Sequence, residues 1–470
     1  MKKSIFLLAG AVTFLFALNS CKTNGQDPDA TLTFSTLTVE QQKKSIEQSG
    51  LDFADKMTGM QQTQGYVTLT QFLNTNGGSL APALVKDFRQ LRTNLVANDV
   101  NALESFNKQL RVVSNAGNDI WGTWNWNKKT QEFDKASSVV INKAVLNFPA
   151  NDLNSTVNNA VLTILYSESN VLIPEVDPAE FYPKSISVIL KVDNVEALNA
   201  QFTGSYASDG TPTNLLQTLV IGAYNWSASV TNTNTDVSAN YTFKYNSDIL
   251  MKYEIGAAGS FTATQIEAII NDKTETNGPD DIVKSAFMSF QIMNVAVYGK
   301  ISDTKGFMTE GNALKPDSIV HKDLYYNYTE YIYPKSYRDS QVLIFNKYLK
   351  FYGYFVAENA KFADVEFYTV EGQEPDYNKQ ATLVYTATST GYYNPPTVTV
   401  KYDYYSTDYN YNYNTGVYTY TYTYYAYPTK TVYNAQPRLV LSDGSKITDF
   451  NAYANDNFQT VITKFQSMFN

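Results

Sequence analysis

The chain has very few side chains able to carry acid–base or nucleophilic chemistry: among 470 residues there is one cysteine, Cys21, and one histidine, His321. A catalytic triad needs a base beside its nucleophile, and a zinc site needs several nitrogen or sulfur ligands, so a lone histidine builds neither. His321 sits between Val320 and Lys322 and reads as a solvent-facing strand or loop residue. Ser302-Asp303-Thr304-Lys305 has the Ser-x-x-Lys spacing of a nucleophile and its base. That chemistry wants the serine at a helix N-terminus, and these residues are expected in a turn after a strand. Glycosidic hydrolysis needs two carboxylates flanking the scissile bond; the 45 acidic residues supply many, and their spacing singles out no pair. The acidic stretch 272–281 lacks the alternating carboxylates of a calcium loop. No Walker, GxGxxG or GxSxG pattern occurs. The expectation is a chain without metal, cofactor or catalytic centre, with a carboxylate-based glycan hydrolase as the alternative.

What the sequence does supply is phenol. Twenty-seven of the 37 tyrosines lie between Tyr325 and Tyr433. In the densest stretch Tyr409, Tyr411 and Tyr413 alternate with asparagine, and Tyr418, Tyr420, Tyr422 and Tyr424 alternate mainly with threonine. Two such runs around Asn414-Thr415-Gly416-Val417 predict a hairpin. An even loop puts Tyr413 opposite Tyr418 and Tyr411 opposite Tyr420, with every ring on one face; an odd loop turns the two runs to opposite faces. The even loop is expected, because cross-strand aromatic pairs stabilise by about 0.2–1 kcal/mol each. Two uses of that face are open. The rings pack on the domain, or they stand in water as a platform for a glycan, another protein or a neighbouring copy. Flat hydroxylated rings stack on sugar faces, so carbohydrate is the natural small ligand. Trp124 and Trp126 are further candidates for sugar stacking, although core packing is their commoner use; alternation places them on one face and Trp121 on the other.

Residues 1–20 read as a secretory signal. Lys2 and Lys3 precede an apolar run from Ile5 to Leu18, about 14 residues, which is short of the ~20 that a membrane helix needs. Leu18-Asn19-Ser20-Cys21 closes the run. This ending resembles the lipobox of bacterial lipoproteins, and with the Asn-, Thr- and Tyr-rich body it resembles lipoproteins of the Bacteroidota. The resemblance implies that the signal is cut before Cys21, that the Cys21 thiol is lipidated and that the new N-terminus is acylated. Each buried methylene is worth about 0.8 kcal/mol, so a triacylated anchor would not dissociate. The expected location is the outer membrane, at the cell surface or on the periplasmic face, with the lipid anchor as the membrane contact. Asp317-Ser318-Ile319 resembles the site at which exported Bacteroidota proteins are O-glycosylated, which marks Ser318. A net charge of −9 argues against nucleic acid as a partner. With no second cysteine, the fold must be held by its core.

The elements that must position these residues predict an α+β protein: an N-terminal helical segment, a large and mostly antiparallel β body, and a C-terminal amphipathic helix. Residues 21–35 read as a tether and 36–115 as helical, with a first helix over 39–58. Leu80, Leu84, Phe88, Leu91 and Leu95 stripe a second helix, and Leu103, Phe106, Leu110 and Val113 a third. Residues 116–310 predict an antiparallel β domain, with strands at 160–166, 185–192, 218–223, 238–244 and 287–301. Residues 311–470 predict a tyrosine-rich β region ending in a helix capped by Asp449 and striped by Phe450, Ala454, Phe458, Val461, Phe465 and Met468. A half-open, strongly curved sheet of the LolA-like kind is the alternative architecture. The functional expectation is an exported, lipid-anchored envelope protein, a binding or structural module whose ligand is a glycan or an envelope protein. The alternatives are the hydrolase named above and a lipid or lipoprotein carrier.

Overall fold

Thr38 starts the first helix with a reciprocal cap: its hydroxyl accepts from the Gln41 amide, and the Gln41 side chain accepts from the Thr38 amide. The computed structural model describes residues 32–73, 121–136, 142–173, 181–262, 264–265, 268, 279–322, 327–390, 398–449, 460–461 and 463–464. These residues are mostly β, with few helices. They form two compact units. One runs to Met308 and also takes Lys347–Glu366 and the chain from Leu439; the other is Thr309–Asn346 with Phe367–Arg438. Among the described residues no helix is long and apolar enough to cross a membrane. Cys21, the second and third predicted helices and most of the predicted C-terminal helix lie outside the described residues.

In the first unit, β1 (Thr33–Phe34) precedes α1 (Val39–Met57) and α2 (Gln64–Leu73). β1 pairs in parallel with a later strand, Thr33 beside Ala360, and Leu32 is buried, so the expected tether is docked at its end. Next come β2 (Gly122–Asn127), β3 (Glu132–Lys135), β4 (Lys143–Phe148), β5 (Ala160–Leu172), β6 (Phe181–Val192), β7 (Val195–Tyr206) and β8 (Pro212–Ile221). They are followed by β9 (Tyr224–Asn232), β10 (Asp236–Tyr245) and β11 (Asp248–Gly259), the short helix α3 (Pro279–Ile282), β12 (Val283–Ile292), β13 (Val295–Ile301) and α4 (Thr304–Ala313). From β4 to β13 each strand pairs antiparallel with the next. The meander continues through β16 (Leu349–Phe355) into β17 (Ala360–Pro375). At its other end β2 pairs in parallel with β4 and antiparallel with β3.

Alternation assigns the core. Leu162, Ile164 and Tyr166 of β5 point to the same side as Ile186 and Leu190 of β6, and Trp124, Trp126, Phe133, Phe148 and Phe72 join them. Tyr224, Phe243 and Leu250 receive Phe53, Met57 and Met60, and the Tyr224 hydroxyl donates to the Lys56 carbonyl at 2.6 Å. The α2 helix lies so close to β7 that a Cβ on Gly65 would collide with the Ala197 carbonyl oxygen. In β12 and β13 the buried side switches: Ser289, Gln291, Ala296 and Tyr298 are buried, while Met288, Phe290 and Val297 on the opposite face are exposed.

The second unit holds the hairpin β14 (Asp317–Lys322) and β15 (Asn327–Ile332), the helix α5 (Lys335–Tyr348) up to Asn346, and β17 from Phe367. It also holds β18 (Thr382–Ser389), β19 (Tyr404–Asn412), β20 (Val417–Ala426) and β21 (Thr429–Leu441) up to Arg438. The α5 helix is fixed by polar contacts: Asn346 exchanges two hydrogen bonds with the Phe367 backbone, and Thr369 donates to Asp339. In the first unit β21 closes on β22 (Lys446–Ile447), with Leu439 beside Ile447.

Candidate binding surface

Tyrosine and threonine at alternating positions favour extended backbone and send each residue type to its own face. In the second unit this yields a three-stranded sheet in the order β18–β20–β19, with β20 in the middle. The loop joining β19 to β20 has four residues, Tyr413 to Gly416, and the Asn412 carbonyl accepts from the Gly416 amide at 2.8 Å. Gly416 has φ +66°, a backbone that side chains with a Cβ rarely adopt. The register pairs Tyr411 with Tyr418 and Tyr409 with Tyr420, so the parity is the expected even one. The partners are shifted: Tyr411 faces Tyr418 rather than Tyr420, because Tyr413 enters the turn instead of the strand.

One face of this sheet carries a row of phenols. Tyr402 contacts Tyr424 at 4.7 Å between ring centroids, and Tyr405 contacts both Tyr424 and Tyr422. Further along, Tyr409 meets Tyr418 and Tyr420, Tyr411 meets Tyr418 at 4.5 Å, and Tyr413 packs edge-on against Tyr411. A bulge between Leu383 and Tyr385 in β18 brings Tyr385 to the same face, 6.2 Å from Tyr424. The reverse face carries Thr386, Thr388, Thr419, Thr421, Thr423, Ser406, Asp408 and Asn410. It is too polar for a core.

Exposure varies along the row: Tyr422 and Tyr424 of the middle strand are buried beneath the exposed Tyr385, Tyr402 and Tyr405, and towards the turn the rings open to solvent. Tyr422 and Tyr424 are 1% and 0% exposed, whereas Tyr418, Tyr409 and Tyr413 are 46%, 69% and 90% exposed. Burial pushes the Tyr424 phenol above its ordinary range, and the phenols of Tyr402, Tyr405, Tyr422 and Tyr385 add to the effect. Tyr422 and Tyr424 therefore leave the list of surface candidates: they are packed within the sheet. Tyr409, Tyr413 and Tyr418 remain as an aromatic tip, with Tyr411 and Tyr420 half-buried.

The chain matches no family model, no curated protein and no solved structure.

The other candidates part company with the surface. Trp124 and Trp126 are buried in the core of the first unit. The Trp126 indole donates to the Leu153 carbonyl at 2.9 Å and meets Phe133 edge-on, which removes both tryptophans as sugar platforms. Trp121 joins the same core although alternation sets it opposite, because Gly122 at φ +126° breaks the period at the first residue of β2. Ser302 lies just before a helix, not in a simple turn; its hydroxyl donates to the Tyr348 carbonyl, and Lys305 pairs with Asp281 at 2.8 Å. Neither side chain is directed to the other, so the Ser-x-x-Lys spacing carries no nucleophile. His321 is in β14, beside Tyr328 of β15. Ser318 is exposed near the start of β14. Among the described residues no group of three or more His, Cys, Asp or Glu is placed to hold a metal ion.

Sequence reasoning missed Tyr385, Tyr402 and Tyr405. The doublet Tyr404-Tyr405 sends one ring to each face, Tyr404 stacking on Tyr425 at 5.0 Å on the reverse side. The signal for Tyr405 was that doublet; Tyr385 depends on a bulge that no local pattern announces.

Proposed function

We propose that this chain is an exported cell-envelope protein, held in the outer membrane through lipid on Cys21, whose second unit offers the tyrosine tip as a contact surface for a glycan. On this reading it is a non-catalytic binding module. The observation that carries it is the contrast on one sheet face between the buried Tyr422 and Tyr424 and the strongly exposed Tyr409, Tyr413 and Tyr418 near the turn. Tyr422 and Tyr424 are packed within the sheet, while Tyr409, Tyr413 and Tyr418 present their rings to solvent. Rigid aromatic side chains lose little conformational entropy on binding, and their faces suit the C–H face of a sugar while their hydroxyls take its polar edge. The exposed Ser318 is the proposed O-glycosylation site. The test is titration of the purified protein with soluble polysaccharides, comparing the parent chain with the Tyr409→Ala, Tyr413→Ala, Tyr418→Ala triple variant. These residues are at the tip, so the variant keeps Tyr422, Tyr424 and the fold.

A second reading, a lipid or lipoprotein carrier, is favoured by one observation: Met288, Phe290 and Val297 form an exposed apolar patch on a long antiparallel meander. Mass spectrometry of the purified protein separates the two, since a carrier co-purifies with lipid and a glycan-binding module does not.

A further inference from the structure

Tyr411 and Tyr418 are direct cross-strand partners with ring centroids 4.5 Å apart and 42° between the ring planes, closer than Tyr402–Tyr424 and Tyr182–Tyr206 at 4.7 Å. We propose that this pair is an oxidative cross-linking site, which a haem peroxidase with hydrogen peroxide converts to an intramolecular dityrosine. Each phenol gives up one electron to the peroxidase and one proton to water. The two phenoxyl radicals then join by a carbon–carbon bond between the ring positions ortho to the hydroxyls, and the two ring hydrogens move as protons to the ketone oxygens, which restores both phenols. The two electrons and the two phenolic protons reduce one hydrogen peroxide to two waters, so the protein loses two hydrogens in all.

Three features select this pair. Tyr418 is 46% exposed, and Tyr413, 90% exposed, contacts Tyr411 at 5.0 Å, so an oxidant reaches the row from solvent at its tip. Ring contacts let a radical formed at Tyr413 or Tyr409 pass to the pair. The two next-closest pairs are less accessible: at Tyr402–Tyr424 (4.7 Å) one ring is fully buried, and at Tyr182–Tyr206 (4.7 Å) the Tyr206 hydroxyl donates to the Pro183 carbonyl in a site that raises its pKa; the more exposed pairs Tyr377–Tyr427 and Tyr404–Tyr425 are farther apart, at 4.9 and 5.0 Å. The cross-link staples the β19–β20 hairpin in a chain whose single cysteine excludes an internal disulfide.

The experiment treats the purified chain with horseradish peroxidase and hydrogen peroxide. It reads dityrosine fluorescence and the mass of the tryptic peptide between Lys401 and Lys430. The expected product is that single peptide lighter by two hydrogens, with no fragment ions from backbone bonds between Tyr411 and Tyr418. The Tyr411→Phe variant, which keeps the ring and the fold, is expected to lose more than half of the single-chain dityrosine, while Tyr245→Phe loses none. Unfolding in urea before oxidation is expected to abolish the site preference. Dityrosine found only between chains, a link mapped to another pair, or an unchanged yield in Tyr411→Phe would overturn the assignment.

Discussion

Tyr424 and Tyr413 carry the same side chain into opposite environments, and the difference sets what each contributes. Tyr422 and Tyr424 are packed among other rings, so truncation leaves a cavity; Tyr422→Ala is expected to destabilise the second unit by about 3–5 kcal/mol. Tyr413→Ala, at a solvated turn, is expected to stay within about 0.5 kcal/mol of the parent. Urea unfolding followed by tyrosine fluorescence distinguishes the two, and equal losses would mean that the buried and exposed rings are not distinct. Burial also leaves a mark on alkaline stability. Tyr241 of β10 is pushed up to about 12 from an ordinary 10.0 by desolvation. Its unfolded form ionises first, so its contribution is complete below pH 10 and is lost as pH rises through 12. Tyr241→Phe is therefore expected to flatten the fall in stability over that window, as followed by denaturant midpoints at stepped pH. Residue types were legible in the sequence, since alternation alone put the rings on one face. Burial was not, because Tyr409 and Tyr424 sit in the same local pattern and differ only in what surrounds them.

Element by element, the sequence was most readable where one face is polar and the other is not. The first helix and the tyrosine hairpin of β19 and β20 fall where periodicity and turn residues placed them. The predicted strand over 287–301 is two strands, because Met293 takes φ +50° and turns the chain where no Gly or Pro marks it. β7, β9 and β11 had no separate signal; β9 (Tyr-Asn-Trp-Ser-Ala-Ser-Val-Thr-Asn) mixes small and polar residues on both sides. They are strands because their neighbours supply the pairing, which a local pattern does not record. The helix α5 was missed for the mirror reason: its Tyr, Ser, Asn and Asp are weak helix formers, and side-chain bonds such as Asn346 to Phe367 hold it. Gly65 shows the same dependence on a neighbour. Since a Cβ there meets the Ala197 carbonyl, Gly65→Ala is expected to push α2 off β7 and to cost about 1–3 kcal/mol. Thermal unfolding reads this directly, and an unchanged midpoint would mean that the helix does not seat on the strand.

At the scale of the molecule, the chain crosses between its two units at 308/309, 346/347, 366/367 and 438/439, so neither β17 nor β21 belongs wholly to one of them. A division into consecutive segments, 116–310 and 311–470, was the natural reading of a linear pattern. The two compact units are interleaved along the chain instead, with 347–366 and the described residues from Leu439 in the first unit. The anchor proposal has its own outcome: Cys21→Ser is expected to move the protein from the membrane pellet to the soluble fraction and to abolish labelling by a palmitate analogue. Retention of both signals in the variant would remove lipidation at Cys21. The most direct test of the central claim is isothermal titration with soluble mannan, xylan, β-glucan and peptidoglycan fragments. The parent chain is expected to bind at least one of them. The Tyr409→Ala, Tyr413→Ala, Tyr418→Ala variant, with an unchanged thermal midpoint, is expected to bind none. Absence of binding across the panel, or equal binding by the variant, would contradict the proposal that the tyrosine tip is a glycan surface.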